Sequence, residues 1–190
     1  MIIAGNVYWV TGLSGSGKTT ISRLLVNKIR EMNRPVVLLD GDAIRAVLEP
    51  ITASWHPEFG YGREARRSFG LTYGRLAAEL SKQGIDVVCA TISMFHEVFQ
   101  WNRSHIENYR EIYLKVPIEI LHQRDPKGIY ARGRQTDGTS IAGVGLIMDE
   151  PTSADLIIEN HGAVDPAAAL DRVWSTLGPG GTALKADGRL

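Results

Sequence analysis

The chain of 190 residues has almost no cysteine, no net charge and no long apolar run. Its single cysteine, Cys89, excludes an intrachain disulfide and fits a reducing compartment. Lys and Arg total 21, as do Asp and Glu, so no overall field favours a nucleic acid polymer or an anionic membrane. No stretch approaches the roughly 18 apolar residues of a membrane span, and the start at Met1 lacks the basic and apolar regions of a secretory signal. We expect a cytoplasmic enzyme that binds neither a membrane nor a nucleic acid polymer.

Length and composition predict a single domain. With 44% hydrophobic residues, the chain can bury one sizeable core but has little left for a second. Residues 178–190 are glycine-rich at their start and are expected to form a flexible tail, which leaves residues 1–177 as the domain. Apolar runs without alternation recur between segments of helical periodicity, and these runs cover residues 7–10, 35–39, 85–91, 112–116 and 155–159. This order predicts an α/β fold in which a parallel sheet carries helices on both faces and binds ligands at the carboxyl ends of its strands.

A phosphate-binding motif follows the first predicted strand. Residues 12–19 match the pattern G-x-x-x-x-G-K-S/T of a P-loop, whose backbone N–H groups surround phosphate oxygens at the start of a helix. In such a loop Lys18 reaches the β- and γ-phosphates as a catalytic cation, and the Thr19 hydroxyl coordinates Mg²⁺. The motif predicts binding of a nucleoside triphosphate by Gly12, Ser14, Gly15, Ser16, Gly17, Lys18, Thr19 and Thr20.

Two carboxylates follow the second predicted strand. Asp40 and Asp42 flank Gly41, where a carboxylate can bind Mg²⁺ through water or accept a proton from an attacking hydroxyl. We favour Asp42 as the catalytic base or substrate-orienting group and Asp40 as the metal-side residue beside Thr19. Spacing alone does not rank the two, so the reverse assignment stays open, and an Asx turn around Gly41 is the structural alternative.

Basic residues are concentrated between residues 124 and 134. Arg124, Lys127, Arg132 and Arg134 lie in a glycine-containing stretch, which predicts a mobile basic lid over about residues 124–145. Closure of such a lid would exclude water and bring guanidinium groups to the transferring phosphoryl group. A solvated basic loop is the alternative.

Two further arginines precede this lid. Arg45 and Arg66 are candidates for binding a phosphate or sulfate of the second substrate, with surface helix arginines as the alternative.

Four segments, in this order and spacing, resemble the adenylylsulfate (APS) kinases: residues 12–20, 39–45, 92–95 and 123–130. The resemblance covers about residues 6–177. It implies a P-loop kinase that uses ATP and Mg²⁺ to phosphorylate the 3′-hydroxyl of a small nucleotide, usually APS in sulfate assimilation, to give 3′-phosphoadenylylsulfate. It also implies a homodimer.

The resemblance implies roles for individual residues. Arg124 would contact the nucleotide and Arg134 matches the catalytic lid arginine. Tyr61 stands where an aromatic ring stacks on the acceptor base, and Ser93 resembles a serine that is phosphorylated in some members. The implied acceptor site consists of Asp42, Arg45, Tyr61, Arg66, Ser93, Phe95, Lys127 and Ile141.

Departures from the family pattern are concentrated at the acceptor side. The family usually has an asparagine at the position of Phe69 and an arginine pair at Leu71 and Thr72. Ile141 replaces a lid aromatic that completes a sandwich around adenine, and the loop from Glu49 to Phe59 is longer than usual. This pattern is expected where the chemistry is retained and the acceptor has changed.

APS is the first acceptor hypothesis, and another nucleotide is the second. Some relatives of the APS kinases act on cytidine diphosphoramidate in capsule modification, and residues 89–95 with residues 101–103 are similar to that branch. A hypothesis from another class is a catalytically silent nucleotide-binding regulatory module. The intact Lys18, Thr19 and Asp42 argue against it.

Overall fold

The computed structural model of the protein describes residues 2–55, 62–133, 141–162 and 164–179, and for residues 49–55 and 133 it describes the backbone alone. Strands and helices alternate along these segments. Their order is β1 (Val7–Thr11), α1 (Lys18–Glu31), β2 (Val36–Asp40), α2 (Gly41–Trp55), α3 (Arg63–Lys82), β3 (Asp86–Thr91), α4 (His96–His105), β4 (Tyr109–Lys115), α5 (Ile118–Arg124), α6 (Ile129–Gly133), β5 (Leu156–Glu159) and α7 (Pro166–Leu177).

The five strands form one parallel sheet in the order β2-β3-β1-β4-β5. Strand β1 is central, and its last residue, Thr11, lies beside Thr91 of β3 and Tyr113 of β4. All residues of β1 and β3 are buried, as expected for central strands of a parallel sheet that is covered on both faces. The predicted α/β fold is therefore confirmed.

Helices cover both faces of the sheet. Successive residues of β1 point to opposite faces, so Trp9 packs into one core with β3 and helices α3 and α4, whereas Tyr8 packs into the other with α1 and α7. Cys89 lies in the first of these cores and is buried. The two cores fix the strands rigidly, and the loops at their carboxyl ends are positioned by this packing.

Helix α2 differs from the sequence expectation. The segment from Glu49 was interpreted as a long loop, but residues 41–55 are helical. The Asp40 carboxylate caps the N-terminus of this helix, because its Oδ1 accepts hydrogen bonds from the N–H groups of Asp42 and Ala43 at 3.1 and 3.4 Å. The rest of the expected loop, residues 56–59, lies outside the described residues.

The beginning of the predicted lid is also more ordered than its glycines suggested. Helix α6 lies within it, and the Asp125 carboxylate accepts hydrogen bonds from the N–H groups of Tyr130 and Ala131 at 3.1 and 2.8 Å. Residues 134–140 of the predicted lid lie outside the described residues, as does the predicted tail from residue 180 onward.

Within the described ranges, no helix combines the length and apolar character needed to cross a membrane.

Candidate active site

A cleft of about 1260 Å³ opens at the carboxyl ends of the strands. Most residues predicted to hold the nucleotide line it, namely Ser14, Gly15, Gly17, Lys18, Thr19, Thr20 and Arg124. The predicted metal-side residue Asp40 lines it as well. So do six of the residues predicted for the acceptor, which are Asp42, Arg45, Arg66, Ser93, Lys127 and Ile141. The parallel topology thus brings these separate motifs to one site.

Five predicted site residues are not among the described residues that line the cleft. Gly12 and Ser16 are buried parts of the P-loop and are not among the described residues that line the cleft. Phe95 does not line it either: its side chain is fully buried in the core, and the Arg63 guanidinium lies 5.0 Å from the centre of its ring. Tyr61 and Arg134 lie outside the described residues.

The P-loop takes its shape from its glycines. Gly12, Gly15 and Gly17 have φ angles of +147°, +79° and +95°, which side chains on an L-residue disfavour, and Gly17 directly precedes α1. The Lys18 ammonium turns back over this loop and donates to the Leu13 carbonyl at 2.7 Å. Burial lowers the pKa of Lys18 to about 8, and the nearby Lys127 ammonium lowers it further, whereas the Asp42 and Asp40 carboxylates act in the opposite direction.

Thr19 and Asp40 form an oxygen pair at the base of the cleft. Thr19 Oγ1 donates to Asp40 Oδ2 at 3.1 Å, while the other carboxylate oxygen of Asp40 begins helix α2. A hydroxyl and a carboxylate at this separation are the oxygen donors that Mg²⁺ prefers, and Mg²⁺ is usually held by few protein ligands, the remainder being water and phosphate. Asp40 therefore caps helix α2 through one carboxylate oxygen and contacts the Thr19 hydroxyl through the other.

Asp42 and Lys127 join the two sides of the cleft. The Lys127 ammonium donates to the Asp42 carboxylate, although Lys127 follows α5 and Asp42 lies in the first turn of α2. Both side chains remain more than half exposed, at 53% and 73%, so a ligand can still reach the carboxylate. The Tyr73 hydroxyl donates to the Gly41 carbonyl at 2.9 Å and supports the same turn from α3.

Two residues predicted to bind the acceptor, Arg45 and Ser93, contact neighbouring side chains. The Arg45 guanidinium lies 4.2 Å from the centre of the Phe69 ring, which is only 5% exposed. Ser93 Oγ and Thr91 Oγ1 are 2.8 Å apart in a buried hydrogen bond. A Cβ on Gly70 would lie 3.0 Å from Ser93 Cβ, so helix α3 packs closely against this serine.

Sequence reasoning missed two side chains that contact the P-loop. Asn160 follows β5 directly, and its Nδ2 donates to the Ser16 carbonyl at 2.7 Å. The Tyr130 hydroxyl donates to the Ser14 carbonyl at 3.0 Å. The only available signal for Asn160 was its place after a predicted strand, at the edge of the sheet where ligands bind.

Sequence reasoning also missed a contact that joins α3 and α4 to the segment after the lid. The Arg63 guanidinium pairs with the Asp149 carboxylate at 3.0 Å and donates to the Ile147 carbonyl at 2.6 Å. The same carboxylate accepts the His96 N–H at 3.2 Å and thus satisfies the first turn of α4. No local pattern links Arg63 and Asp149, which are 86 residues apart.

A P-loop, a hydroxyl and carboxylate pair and a basic cleft at the end of a parallel sheet define a P-loop kinase. The family model for adenylylsulphate kinase matches residues 4–159, and the chain belongs to this family. It is therefore a phosphotransferase with an alcohol group as acceptor, acting on a nucleotide, and not a catalytically silent module.

Individual relatives divide between two acceptors. The chain is 37% identical over 154 residues to a cytidine diphosphoramidate kinase of Campylobacter jejuni, which covers 81% of this chain and 85% of that protein. It is 32% identical over 156 residues to an adenylyl-sulfate kinase of Paraburkholderia xenovorans, covering 82% and 83%. Its fold is similar to that of the Mycobacterium tuberculosis APS kinase in complex with AMPPNP and APS, with a TM-score of 0.78, 26% identity and coverage of 90% and 95%. Kinases of this family use ATP, of which AMPPNP is an analogue.

Proposed function

We propose that this protein transfers the γ-phosphoryl group of ATP, with Mg²⁺, to the 3′-hydroxyl of a cytidine nucleotide of the diphosphoramidate type. The observation that carries the choice of acceptor is the contact between Arg45, which lines the cleft, and the buried ring of Phe69 behind it. Phe69 has no amide that could form a hydrogen bond with an adenine base, whereas the APS kinases that the sequence resembles usually have asparagine at this position. The relative at 37% identity, a cytidine diphosphoramidate kinase, supports the same choice.

The change at Ile141 supports this acceptor as well. Ile141 lines the cleft at the position of the aromatic that the family uses against adenine, and an aliphatic side chain offers less stacking area for a purine. Loss of such contacts weakens recognition by roughly 1–3 kcal/mol, or about 10–200-fold in kcat/KM. The cations at Arg45 and Arg66 suit the anionic 5′ group of either acceptor, a phosphosulfate in APS and a diphosphoramidate in the cytidine nucleotide.

Each residue around the phosphates has a separate role in the proposed reaction. Lys18 holds the β- and γ-phosphates and stabilises charge that develops on the transferring group. Thr19 and Asp40 would hold Mg²⁺, directly and through water, and the ion would neutralise phosphate charge. Asp42 accepts or orients the acceptor hydroxyl proton, and the contact with Lys127 holds its carboxylate in place.

APS is the second candidate acceptor. The adenylyl-sulfate kinase at 32% identity and the family model support it, and with it a role in sulfate assimilation. Both candidates share the donor site and differ only in the acceptor, so a competition between acceptors separates them.

The experiment measures kcat/KM for cytidine diphosphoramidate, APS, CDP and ADP with ATP and Mg²⁺, and locates the new phosphate by ³¹P NMR. We expect cytidine diphosphoramidate to exceed APS by at least about tenfold. A preference for APS would overturn the cytidine assignment, and a phosphate elsewhere than the 3′-position would overturn the regiochemistry.

A variant tests the observation itself. Phe69→Asn should raise kcat/KM for APS relative to cytidine diphosphoramidate, because it restores an amide at this position. Phe69→Leu is the control, because it keeps the position apolar and should leave the ratio unchanged. An unchanged ratio in Phe69→Asn would remove the main support for the cytidine acceptor.

We further propose that the enzyme is a cytoplasmic homodimer, as the resemblance to the APS kinases implies. Light scattering on the purified protein tests the dimer, and a mass of one 20.9 kDa chain at micromolar concentration would contradict it.

A further inference from the structure

Four consecutive carbonyl groups of the P-loop each accept a hydrogen bond from a side chain. The donors come from four different places in the chain: α1, the end of α5, helix α6 and the residue after β5. The pairs are Lys18 with Leu13 at 2.7 Å, Tyr130 with Ser14 at 3.0 Å, Arg124 with Gly15 at 3.4 Å and Asn160 with Ser16 at 2.7 Å. The loop carbonyls are therefore held by surrounding elements as well as by the loop backbone. Lys18 and Arg124 make their bonds from the cleft, whereas Asn160 and Tyr130 are not among its described lining residues.

Asn160 makes one of the two shortest of these contacts and is itself held by the sheet. Its backbone N–H donates to the Lys115 carbonyl at 2.9 Å, which continues the pairing of β5 with β4 by one residue. Its amide lies against Gly17, where a Cβ would come within 2.6 Å of Nδ2. Gly17 therefore supplies both the backbone conformation of the loop and the space for this amide.

The bond to Ser16 has a direct consequence for the opposite side of the loop. In a planar trans peptide the C=O of one residue and the N–H of the next point in opposite directions. Holding the Ser16 carbonyl outward directs the Gly17 N–H inward, toward the side where a P-loop binds phosphate oxygens. The bond from Tyr130 to the Ser14 carbonyl acts in the same way on the Gly15 N–H.

We propose that Asn160 and Tyr130 are positioning residues for the triphosphate, which fix the Ser16–Gly17 and Ser14–Gly15 peptides with their N–H groups directed at the phosphates. Neither side chain is among the residues that line the cleft, so both act through the loop. A loop that is fixed before the nucleotide binds loses less conformational freedom on binding. The inference rests on ATP as the donor and is independent of which nucleotide is the acceptor.

The test is the affinity for Mg²⁺–AMPPNP, measured by calorimetry on the purified full-length protein. Asn160→Ala and Tyr130→Phe should each raise the dissociation constant about three- to tenfold, the range expected for one neutral hydrogen bond. AMP lacks the β- and γ-phosphates, and its dissociation constant should change less than twofold. In turnover, KM for ATP should rise while KM for the acceptor stays unchanged, a division that a general loss of structure would not produce.

Asn108 provides a matched control. Its Nδ2 also donates to a backbone carbonyl, that of Ala4 at 3.1 Å, but it precedes β4 at the amino ends of the strands. Asn108→Ala should leave both dissociation constants unchanged. Equal effects of Asn108→Ala and Asn160→Ala on Mg²⁺–AMPPNP, or equal effects of Asn160→Ala on AMP and AMPPNP, would overturn the proposal.

Tyr130→Phe keeps the test decisive if Asn160→Ala does not fold, because it removes one hydroxyl and keeps the ring that packs against His122. Unchanged binding of Mg²⁺–AMPPNP in this variant would then overturn the proposal. If the unaltered protein does not bind Mg²⁺–AMPPNP, ATP is not its donor and the proposed function fails as well. If the unaltered protein binds Mg²⁺–AMPPNP and the variants bind it equally well, the positioning role is rejected while the proposed function stands.

Discussion

Lys127 donates a hydrogen bond to the Asp42 carboxylate across the cleft, although the two residues are 85 positions apart in the chain. The contact joins the segment after α5 to the first turn of α2, so the carboxylate proposed to face the acceptor hydroxyl is held from the lid side. Because both groups are more than half exposed, the pair contributes little to the free energy of folding, and its role is to orient the Asp42 carboxylate.

Asp42→Asn should lower kcat about 10²–10⁴-fold, because it keeps the size of the side chain but removes the proton acceptor. The loss should appear with every acceptor that the unaltered enzyme uses. Steady-state rates at saturating ATP and Mg²⁺ measure it.

Lys127→Ala should have a smaller effect than Asp42→Asn, because the carboxylate remains. Lys127→Arg keeps the charge and should retain most of the activity. This comparison distinguishes loss of the ion pair from loss of the folded structure. A larger loss in Lys127→Ala than in Asp42→Asn would place the main catalytic charge on Lys127.

Asp40→Asn should raise the Mg²⁺ concentration needed for half-maximal activity about 10- to 100-fold, the range for losing a partner of a metal site. Asparagine also caps helices well, so the start of α2 should be preserved. Mg²⁺ titrations of Asp40→Asn and Asp42→Asn, side by side, test the division of tasks. An increased Mg²⁺ requirement in Asp42→Asn, with normal titration of Asp40→Asn, would exchange the roles of the two residues.

Ser93→Ala should retain kcat within about tenfold, because in-line transfer from ATP to a bound hydroxyl needs no covalent intermediate. The variant mainly loses the buried hydrogen bond between Ser93 and Thr91. Lys18→Ala is the comparison and should lose about 10²–10³-fold. Complete inactivation of Ser93→Ala, together with a phosphoserine that passes its phosphate to the acceptor, would contradict direct transfer.

The buried Asp86 should make folding stability depend on pH. Its carboxylate accepts two hydrogen bonds from Arg34, at 2.6 and 2.8 Å, and two from Asn6, at 2.7 and 3.1 Å. Burial alone raises the pKa of Asp86, but these hydrogen bonds outweigh it and bring the pKa below the ordinary value of 3.8. The charged form is thus favoured by folding, so its stabilisation is present above pH 3.8 and is lost as the pH falls through the lower folded pKa.

Asp86→Asn should lower the free energy of unfolding at pH 7 by about 1.5–3 kcal/mol, because the buried site loses the charged acceptor of the hydrogen bonds from Arg34 and Asn6. The difference between variant and unaltered protein should shrink as the pH falls below 3.8, because the carboxyl of the unfolded chain takes up its proton there while the native carboxyl stays charged down to its lower pKa. Urea unfolding at pH 7, 5, 4 and 3 measures both effects. A difference that stays constant across this range would contradict the assignment to the Asp86 charge.

Much of the fold follows from local patterns in the sequence. The order of apolar runs and amphipathic segments predicts the parallel sheet because each strand buried on both faces must be hydrophobic along its length. The P-loop and the Asp40–Asp42 pair are recognisable because their functions depend on neighbours within a few residues. Asp165 and Pro166 likewise indicate the start of α7, where the Asp165 side chain accepts the Ala167 N–H.

Helix α2 was not predicted, because the hydrogen bond from the Asp42 N–H to the Asp40 carboxylate that caps it also closes an isolated Asx turn, and the local sequence does not distinguish the two. The apolar change at Phe69 was visible in the sequence, but its contact with Arg45 requires α2 and α3 to pack side by side at the cleft. Phe95 was expected at the acceptor and is buried, because strand end and helix start place its side chain in the core.

The sequence by itself determined the chemistry of the donor site, since a phosphate-binding loop, its lysine and its hydroxyl are contiguous in the chain. Only the tertiary structure decided how that loop is held. Asn160 meets Ser16 across 144 residues and Tyr130 meets Ser14 across 116. Such contacts depend on strand order and on the packing of α5 and α6, and these depend on the whole chain rather than on any short segment.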